Sequence, residues 1–406
     1  MTDGTALPAA ASSADAPPAI VPGGFGLYVH WPFCASKCPY CDFNSHVSHG
    51  VDQDSWRAGL LSELGYFGVA TKGRLLETVF FGGGTPSLMP PSTVAAVLDA
   101  LSTYWAVARD AEVTLEANPS SVEAKNFADF RAAGINRVSV GVQSFRDEDL
   151  KFLGRSHSAI EARNAVAVAE KMFDRVSFDM IYALPGQTAR AWATQLNEAL
   201  TFGTGHLSLY QLTIEKGTPF FSYHNKGMFH LPDDDLAVEL SSKTVEMTEK
   251  VGLSAYEISN YSFAGQESRH NLTYWSGGDY IGIGPGAHGR LSLNGTRYRT
   301  EQVPLPENWL AAIKKQGHAN RIFETISETE HVIESLMMGM RVTSGISRNL
   351  FERLTGLDLE DCVDRTRSHA LVAAGLVKID DEGIRATPEG RQRLNSVIEA
   401  LIPDFC

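Results

Sequence analysis

Between residues 25 and 252, short apolar runs rich in β-branched residues alternate with longer stretches whose apolar positions recur every three or four residues. The runs FGLYVHW (25–31), LLETVFFGG (75–83), EVTLEAN (112–118), NRVSVGVQ (136–143), RVSFDMIYAL (175–184) and HLSLYQLTI (206–214) read as strands. The stretches 54–70, 92–105, 121–133, 159–173, 189–202 and 233–252 read as the helices between and after them. Strands that are apolar almost throughout, each followed by a helix, imply a parallel sheet covered by helices. Six such units build either a doubly wound sheet or a curved, incomplete β/α barrel, and periodicity alone does not choose between them.

From about residue 300 the pattern changes. VPLPENW reads as a linker, followed by short helices near 328–341, 347–354 and 360–374, then GLVKIDDEGIRATPEG and a last helix. Two short strands around Asp380–Gly383 ahead of a helix resemble the wing of a winged helix. Acids are interspersed with the bases there, which favours a structural or docking role over DNA binding. The expected organisation is a disordered leader over 1–23, a β/α core over 24–300, and a small helical, winged-helix-like domain over 301–406.

Composition narrows the function classes. A formal net charge of −13 and an acidic pI argue against nucleic acid and anionic membrane surfaces as partners. No apolar run approaches the roughly 20 residues that span a bilayer. The opening Ala-, Pro- and Ser-rich residues contain no Lys or Arg, so they lack the basic region of a secretory signal. Five cysteines, an odd number, do not make a disulfide scaffold and fit a reducing compartment, so a cytoplasmic location is expected. Cys362 and Cys406 stand alone and read as lone thiols.

The other three, Cys34, Cys38 and Cys41, are spaced C-x3-C-x2-C directly after the first strand. Zinc held by three Cys and a His, with His30 or His46 nearby, is one reading. An iron–sulfur cluster fits better: no second cysteine pair exists, and three thiolates on a four-iron cube leave one iron open to a ligand. Polar residues also recur at successive strand ends, as Gly82-Gly83-Gly84-Thr85, Glu116 and Asn118, Gln143, Asp179, and Gln211 and Thr213. Strand ends are where β/α barrels place their chemistry. FFGGGTPS is not a P-loop, because Thr85-Pro86 stands where a Lys-Ser/Thr pair would be needed. Its glycines instead allow a tight bend and close approach of backbone to a ligand.

The cysteine spacing ahead of a glycine-rich second strand end resembles the radical S-adenosylmethionine superfamily. YVHWPFC, CPYCDF, FFGGGTPS, LEANP, VSVGVQSF, LGRSH, DMIYALPGQT and GIGPGAHG, in that order, are similar to the group of oxygen-independent coproporphyrinogen III oxidases and HemW haem chaperones. The resemblance covers about residues 24 to 400 and implies a full or partial β/α barrel. It implies a [4Fe-4S] cluster on Cys34, Cys38 and Cys41, whose open iron is chelated by S-adenosylmethionine; one electron then cleaves the sulfonium to a 5′-deoxyadenosyl radical. By the same resemblance Tyr28, Tyr40, Gly83 and Glu116 contact the cluster-bound cofactor. Gly84, Thr85, Gln143, Arg155 and Asp179 match the oxidase's second S-adenosylmethionine site, and Thr213 and His288 match further contacts.

Two departures separate this chain from the oxidase. The oxidase has a further cysteine two residues past the third, where this chain reads Cys41-Asp42-Phe43, and it has a structured N-terminal arm where residues 1–23 here are of low complexity. RHNLTYW (269–275) matches the H-N-x-x-Y-W motif of the HemW group, which implies haem near His270, Tyr274 and Trp275, with an imidazole for iron and flat apolar walls. The expectation is therefore a haem chaperone delivering haem to acceptor haemoproteins, respiratory ones among them, with an electron donor such as flavodoxin and a homodimeric state implied by the group. The alternative is oxidative decarboxylation of coproporphyrinogen III in porphyrin biosynthesis.

Overall fold

The computed structural model describes residues 20–48 and 50–403. The expected leader therefore lies outside the described residues as far as 19, as does Cys406.

The six expected strands form and pair in parallel in chain order: β1 (Phe25–Trp31), β2 (Leu75–Gly83), β3 (Ala106–Ala117), β4 (Arg137–Gln143), β5 (Arg175–Tyr182) and β6 (His206–Gln211). A doubly wound sheet reverses its strand order at a switch point, and this one never does. The units wind one way, as in a barrel. Helices α1 (Gln53–Ala70), α2 (Pro91–Leu101), α3 (Phe127–Ala133), α4 (Ala159–Met172), α5 (Ala189–Thr201) and α6 (Asp234–Lys250) follow the strands. The helix expected over 121–133 is interrupted, with one turn at Ser121–Ala124 ahead of α3.

Alternation explains which face is which. On β1, Phe25, Leu27, Val29 and Trp31 are buried in the main core with Leu60, Leu64 and Phe67 of α1. Gly26, Tyr28 and His30 point the other way, into the lumen. Truncating one of these core leucines to alanine typically costs about 2–5 kcal/mol. The lumen side of the later strands is polar: Glu112, Thr114 and Glu116 on β3, Arg137 and Ser139 on β4, Arg175, Ser177 and Asp179 on β5, His206 and Ser208 on β6. Closed barrels of this class fill their interior with branched apolar layers. This one leaves a polar hollow.

The barrel is open because β1 and β6 do not pair. Beyond β6 the sheet continues antiparallel through β8 (Asn260–Ser262) and β7 (Ser254–Ala255). Beyond β1 it continues through β9 (Asp279–Ile283, parallel), β10 (His288–Leu293), β11 (Thr296–Gln302) and β12 (Asn320–Thr325). None of β7 to β12 is among the elements expected from the sequence. Gly282, Gly284 and Gly286 break the apolar alternation there, β11 gives one face to Arg297, Arg299 and Glu301, and β12 carries Arg321 and Glu324 on opposite faces. The change of domain expected at 300 falls within β11, and the linker segment VPLPENW runs into α8 (Pro306–Gln316). A separate core gathers Val332, Leu336, Phe351, Ile384 and Val397 with their neighbours. Its strands Val377–Ile379 and Gly383–Ala386 pair antiparallel across the Asp380–Glu382 turn, as the wing-like reading expects.

One buried carboxylate locks the added strands to the barrel. Glu63 of α1 accepts from Gly284 N (2.7 Å), Trp309 Nε1 (3.0 Å) and Ala319 N (3.0 Å) and is fully buried. Trp309 in turn stacks on Trp56 of α1, centroids 5.0 Å apart. Burial pushes Glu63 from 4.5 up to about 7, against the pull of its three donors. The folded form therefore holds its proton more tightly than the unfolded chain. Its contribution to stability is full below about pH 4.5 and is lost as pH rises through 7. We expect Glu63→Gln, which sets an NH2 against one of the donors, to cost about 1–3 kcal/mol and to flatten that part of the pH–stability profile, both read by denaturant titration from pH 5 to 8.

Candidate functional site

β1 passes directly into the cysteine loop. Phe33–Cys34 pair with His46–Val47 in a two-residue parallel ladder that closes the loop carrying all three thiols. Trp31 and Phe33 pack edge-on against Trp56 at its root, with centroids 5.9 and 4.9 Å away. Lys37 Nζ donates to Phe43 O and Ser45 O, both at 3.2 Å, and Asn44 Nδ2 donates to Pro285 O and Pro304 O, both at 2.9 Å. The loop is thus held at its root, across its middle and from the β9–β11 side.

The end of β2 lies against this loop. Gly84 N donates to Trp31 O (2.7 Å) and Thr85 N to Phe33 O (2.9 Å), so the parallel ladder runs on past the strands. Gly83 has φ +113°, and a Cβ there would sit 2.6 Å from the His30 ring; one on Gly84 would sit 2.8 Å from Phe33 O. Only glycine fits at both positions.

A chain of hydrogen bonds joins two of the thiols through neighbouring strand ends. Thr85 Oγ1 donates to Cys34 Sγ (3.4 Å) and accepts from Asn118 Nδ2 (3.1 Å). Asn118 Oδ1 accepts from Arg155 Nη2 (2.7 Å), which also donates to Gly141 O (2.9 Å), while Arg155 Nη1 donates to Cys38 Sγ (3.5 Å). Cys41 Sγ lies 4.0 Å from Ser45 Oγ. Burial raises the Cys34 and Cys41 thiols, and the other cysteines of the loop raise Cys34 further. Three free thiols on one wall, two of them receiving donors, form a donor set suited to a metal–thiolate group. Among the described residues, no three Cys, His, Asp or Glu side chains converge on a point that would hold a single ion.

Below this wall, inside the lumen, sit two carboxylates without an ion-pair partner among the described residues. Burial, then the nearby Asp179, pushes Glu116 up to about 8; Gly83 N donates to its Oε2 at 3.3 Å. Burial also raises Asp179, whose Oδ1 accepts from Ser139 Oγ at 3.2 Å. Two buried carboxyls beside a thiolate wall suit a small ligand carrying positive charge. The left-handed conformations of Gln143 (φ 67°) and Ala183 (φ 60°) fall at the ends of β4 and β5, at the rim of the same space. The whole cleft measures about 2090 Å3.

The cleft brings together Cys34, Cys38, Cys41, Tyr40, Gly83, Gly84, Thr85, Glu116, Gln143, Arg155, Asp179 and Thr213. Tyr28 lies deeper, beside rather than on the cleft wall. His30 Nε2–H donates to Asn44 O (2.9 Å), so its Nδ1 accepts from the Tyr28 hydroxyl (3.0 Å). His288 is on β10, outside the cleft, 60% exposed and 3.9 Å from Glu301.

The haem-motif residues require a correction. His270, Tyr274 and Trp275 lie on α7 (Arg269–Trp275), which plugs the floor of the barrel. Glu112 accepts from the first two amides of α7 and from Arg175 Nη1 (2.6 Å). His270 is buried, with Nδ1 2.8 Å from Thr78 Oγ1 and Nε2 2.6 Å from the Tyr274 hydroxyl, so both ring nitrogens are taken. Burial lowers its pKa to about 3. It is a satisfied core histidine away from the cleft. Sequence reasoning passed over Tyr210, which continues the inward alternation of His206 and Ser208 on β6 and is 41% exposed in the cleft. It named Asn118 as a strand-end residue without giving it a contact.

The Radical SAM superfamily profile matches residues 28–195, and the HemN C-terminal domain profile matches residues 326–393. The chain is 40% identical to mouse radical S-adenosyl methionine domain-containing protein 1, mitochondrial, over 93% of this chain and 87% of that protein. It is 37% identical to heme chaperone HemW of Escherichia coli, over 93% and 98% of the two chains, and 32% identical to heme chaperone HemW of Bacillus subtilis, over 93% and 99%. Its fold is similar to coproporphyrinogen III oxidase (HemN) from Escherichia coli, with a TM-score of 0.77 at 21% identity over 93% and 89% of the chains.

The Cys34–Thr85–Asn118–Arg155–Cys38 chain generates a measurable expectation. Hydrogen bonds to the sulfurs of an iron–sulfur cluster raise its potential by favouring the reduced, more negative state. In protein reconstituted with iron and sulfide, Asn118→Ala, which frees Arg155, is expected to lower the midpoint potential by on the order of tens of millivolts, where 59 mV is tenfold for one electron. Arg155→Leu should lower it further, as read by redox titration followed by EPR.

Proposed function

The chain belongs to the family of HemW and radical S-adenosyl methionine domain-containing protein 1, within the radical SAM superfamily, and we propose that it is a haem chaperone that binds haem and delivers it to acceptor haemoproteins. The observation that carries this reading is the match over nearly the full length of proteins named for that activity. It is joined by Asp42-Phe43 in this chain, where the oxidase has its further cysteine. The reading no longer leans on His270, whose ring nitrogens are both engaged at the barrel floor.

Membership implies a [4Fe-4S] cluster and S-adenosylmethionine. Cys34, Cys38 and Cys41 would hold the cluster, which when bound supplies a single electron to a sulfonium. The chain's own residues do the rest. Glu116 and Asp179, in their deprotonated forms, offer negative charge to a ligand that carries both an ammonium and a sulfonium, in a hollow where such charges act strongly. Gly83 and Gly84 let the backbone come close, and Arg155 with Asn118 fixes the thiol wall. A cleft of about 2090 Å3 exceeds the 300–1,000 Å3 of an ordinary small-molecule site. That leaves room for a flat tetrapyrrole beside the cofactor. Among the described residues no helix is long and apolar enough to cross a membrane; a reducing, cytoplasm-like compartment would keep the thiols available.

A second reading, oxidative decarboxylation of coproporphyrinogen III, draws on Gln143, Arg155, Asp179 and Thr213 lining the same cleft. The two separate in one preparation of cluster-loaded protein. Ferric haem is expected to bind one per chain at micromolar concentration with a shifted Soret band. Coproporphyrinogen III with S-adenosylmethionine and a low-potential reductant is expected to stay unconverted. Accumulation of protoporphyrinogen with no haem binding would reverse the assignment. His270→Ala should lower thermal stability and leave haem affinity within about twofold, since the lost groups are two core hydrogen bonds.

The cofactor site carries a pH signature. Glu116, pushed up to about 8, is protonated below that pH and then offers no charge to a cation. S-adenosylmethionine affinity, measured by calorimetry, is expected to rise between pH 6.5 and 8.5, approaching tenfold per unit at the acid end. Glu116→Gln should flatten the profile.

A further inference from the structure

We propose that the anionic edge of the ligand, the paired carboxylates of a tetrapyrrole, is received by Arg341, Arg391 and Arg393 of the C-terminal segment, at the end of the cleft away from the thiols. This rests on the chaperone reading and adds to it the place and polarity of the haem site.

The C-terminal segment is otherwise rich in neutralised arginines. Arg348 is paired with Glu360, Arg365 with Asp361, Arg367 with Asp364 and Arg385 with Asp380. The three that line the cleft differ: among the described residues none forms an ion pair with a carboxylate. Arg393 makes no side-chain hydrogen bond there, and Arg341 Nη2 reaches only Asn395 Oδ1, at 3.5 Å. Arg391 donates through Nη2 to the backbone Glu257 O (2.6 Å), while its Nη1 is buried without a partner. Arg155, at the thiol wall, also lacks a carboxylate, but its guanidinium is already engaged by Asn118, Gly141 and Cys38, whereas these three keep donors to spare in a chain with 48 acids against 35 bases. A buried donor left unmatched carries a cost that a bound acceptor removes.

Their surroundings specify the rest of the ligand. The space next to them is bounded by Val245 of α6, by Ile258 and Tyr261, and by Tyr210 of β6. Tyr210 and Ile258 are 41% and 42% exposed, a large share for such side chains inside a cleft. Of the acids on this side, Asp234, Glu246 and Glu249 belong to α6, Glu246 being held by Lys243 and Lys250 at 2.7 and 2.5 Å, and Glu257, whose charge acts on Arg391, has its carboxylate engaged by Ile258 N and Ser259 N. Guanidiniums and a set of apolar and aromatic side chains therefore line one space. A flat apolar body with two carboxylates on one edge matches this pattern. Its charged edge lies on the arginines, where a guanidinium meets a carboxylate with two parallel hydrogen bonds.

Titration of the cluster-loaded full chain with ferric haem and with ferric haem dimethyl ester tests the assignment. The wild-type chain is expected to bind the diacid at least about tenfold more tightly than the ester. The R341A/R391A/R393A variant is expected to lose that margin through the diacid alone, with ester affinity and iron content unchanged. Arg393→Gln, on an exposed side chain, should lose about threefold by itself and guards against a folding defect in the triple variant. Equal affinity of the wild-type chain for diacid and ester overturns this inference and leaves the chaperone reading standing. No binding of either overturns both.

Discussion

The absence of side chains at Gly82, Gly83 and Gly84 is the constraint on which the site depends. With a Cβ at Gly84 the chain would meet the carbonyl of Phe33, and with one at Gly83 it would meet the His30 ring. Without them the end of β2 passes close beneath the cysteine loop and continues its ladder through Gly84 N and Thr85 N. That closeness puts Thr85 Oγ1 on Cys34 Sγ and lets Asn118, one strand further on, reach Thr85. A bend that cost one ångström more would break the first link of the chain that ends at Cys38.

The second determinant is the polar lumen. Burying Glu112, Arg137, Arg175 and Asp179 is expensive, and a buried ion pair often does no better than an apolar replacement. These groups are therefore weak evidence of added stability. What they do is specify position. Glu112 sets α7 on the barrel floor, and the line from Arg137 Nη2 through Ser177 Oγ and Ser139 Oγ to Asp179 Oδ1 carries donors upward to the cleft. The hollow stays open because the inward positions are polar, and the barrel stays unclosed because α7 and the added strands occupy the gap between β6 and β1.

Much of this was legible in the chain itself. Strand β2 runs as expected over 75–83, and the polar ends of β2 to β5 do line one cleft, because parallel pairing in register puts those ends at one edge. What was not legible has physical causes. β9 to β12 carry glycines and charges and so lack an apolar run, and Glu63, which fastens them, looks in sequence like any helix acid. The His270 motif was conspicuous, yet its burial depends on Thr78 and Tyr274 meeting it from β2 and from its own helix, which no spacing rule shows. The partners of Arg155 lie on three other segments, so its role at the thiol wall is a product of assembly.

Set side by side, the two ends of the cleft offer different partners to a ligand. The lumen end holds Glu116 and Asp179 beneath the thiols; the far end holds Arg341, Arg391 and Arg393. A cationic cofactor and an anionic tetrapyrrole placed in one continuous space would otherwise compete, since each is drawn to any opposite charge within a Debye length of about 8–10 Å. On the proposed reading, separate seats, buried carboxyls at one end and arginines at the other, would lessen that competition. On that reading the cofactor would face the thiols, and the tetrapyrrole would turn its carboxylates toward the C-terminal segment and its apolar body toward Tyr210 and Tyr261. The C-terminal segment then does more than cover the barrel, because it adds three guanidiniums without a carboxylate partner among the described residues to the lining of this cleft. The thiol wall is fastened independently of that segment, by Asn44 and the glycine bend.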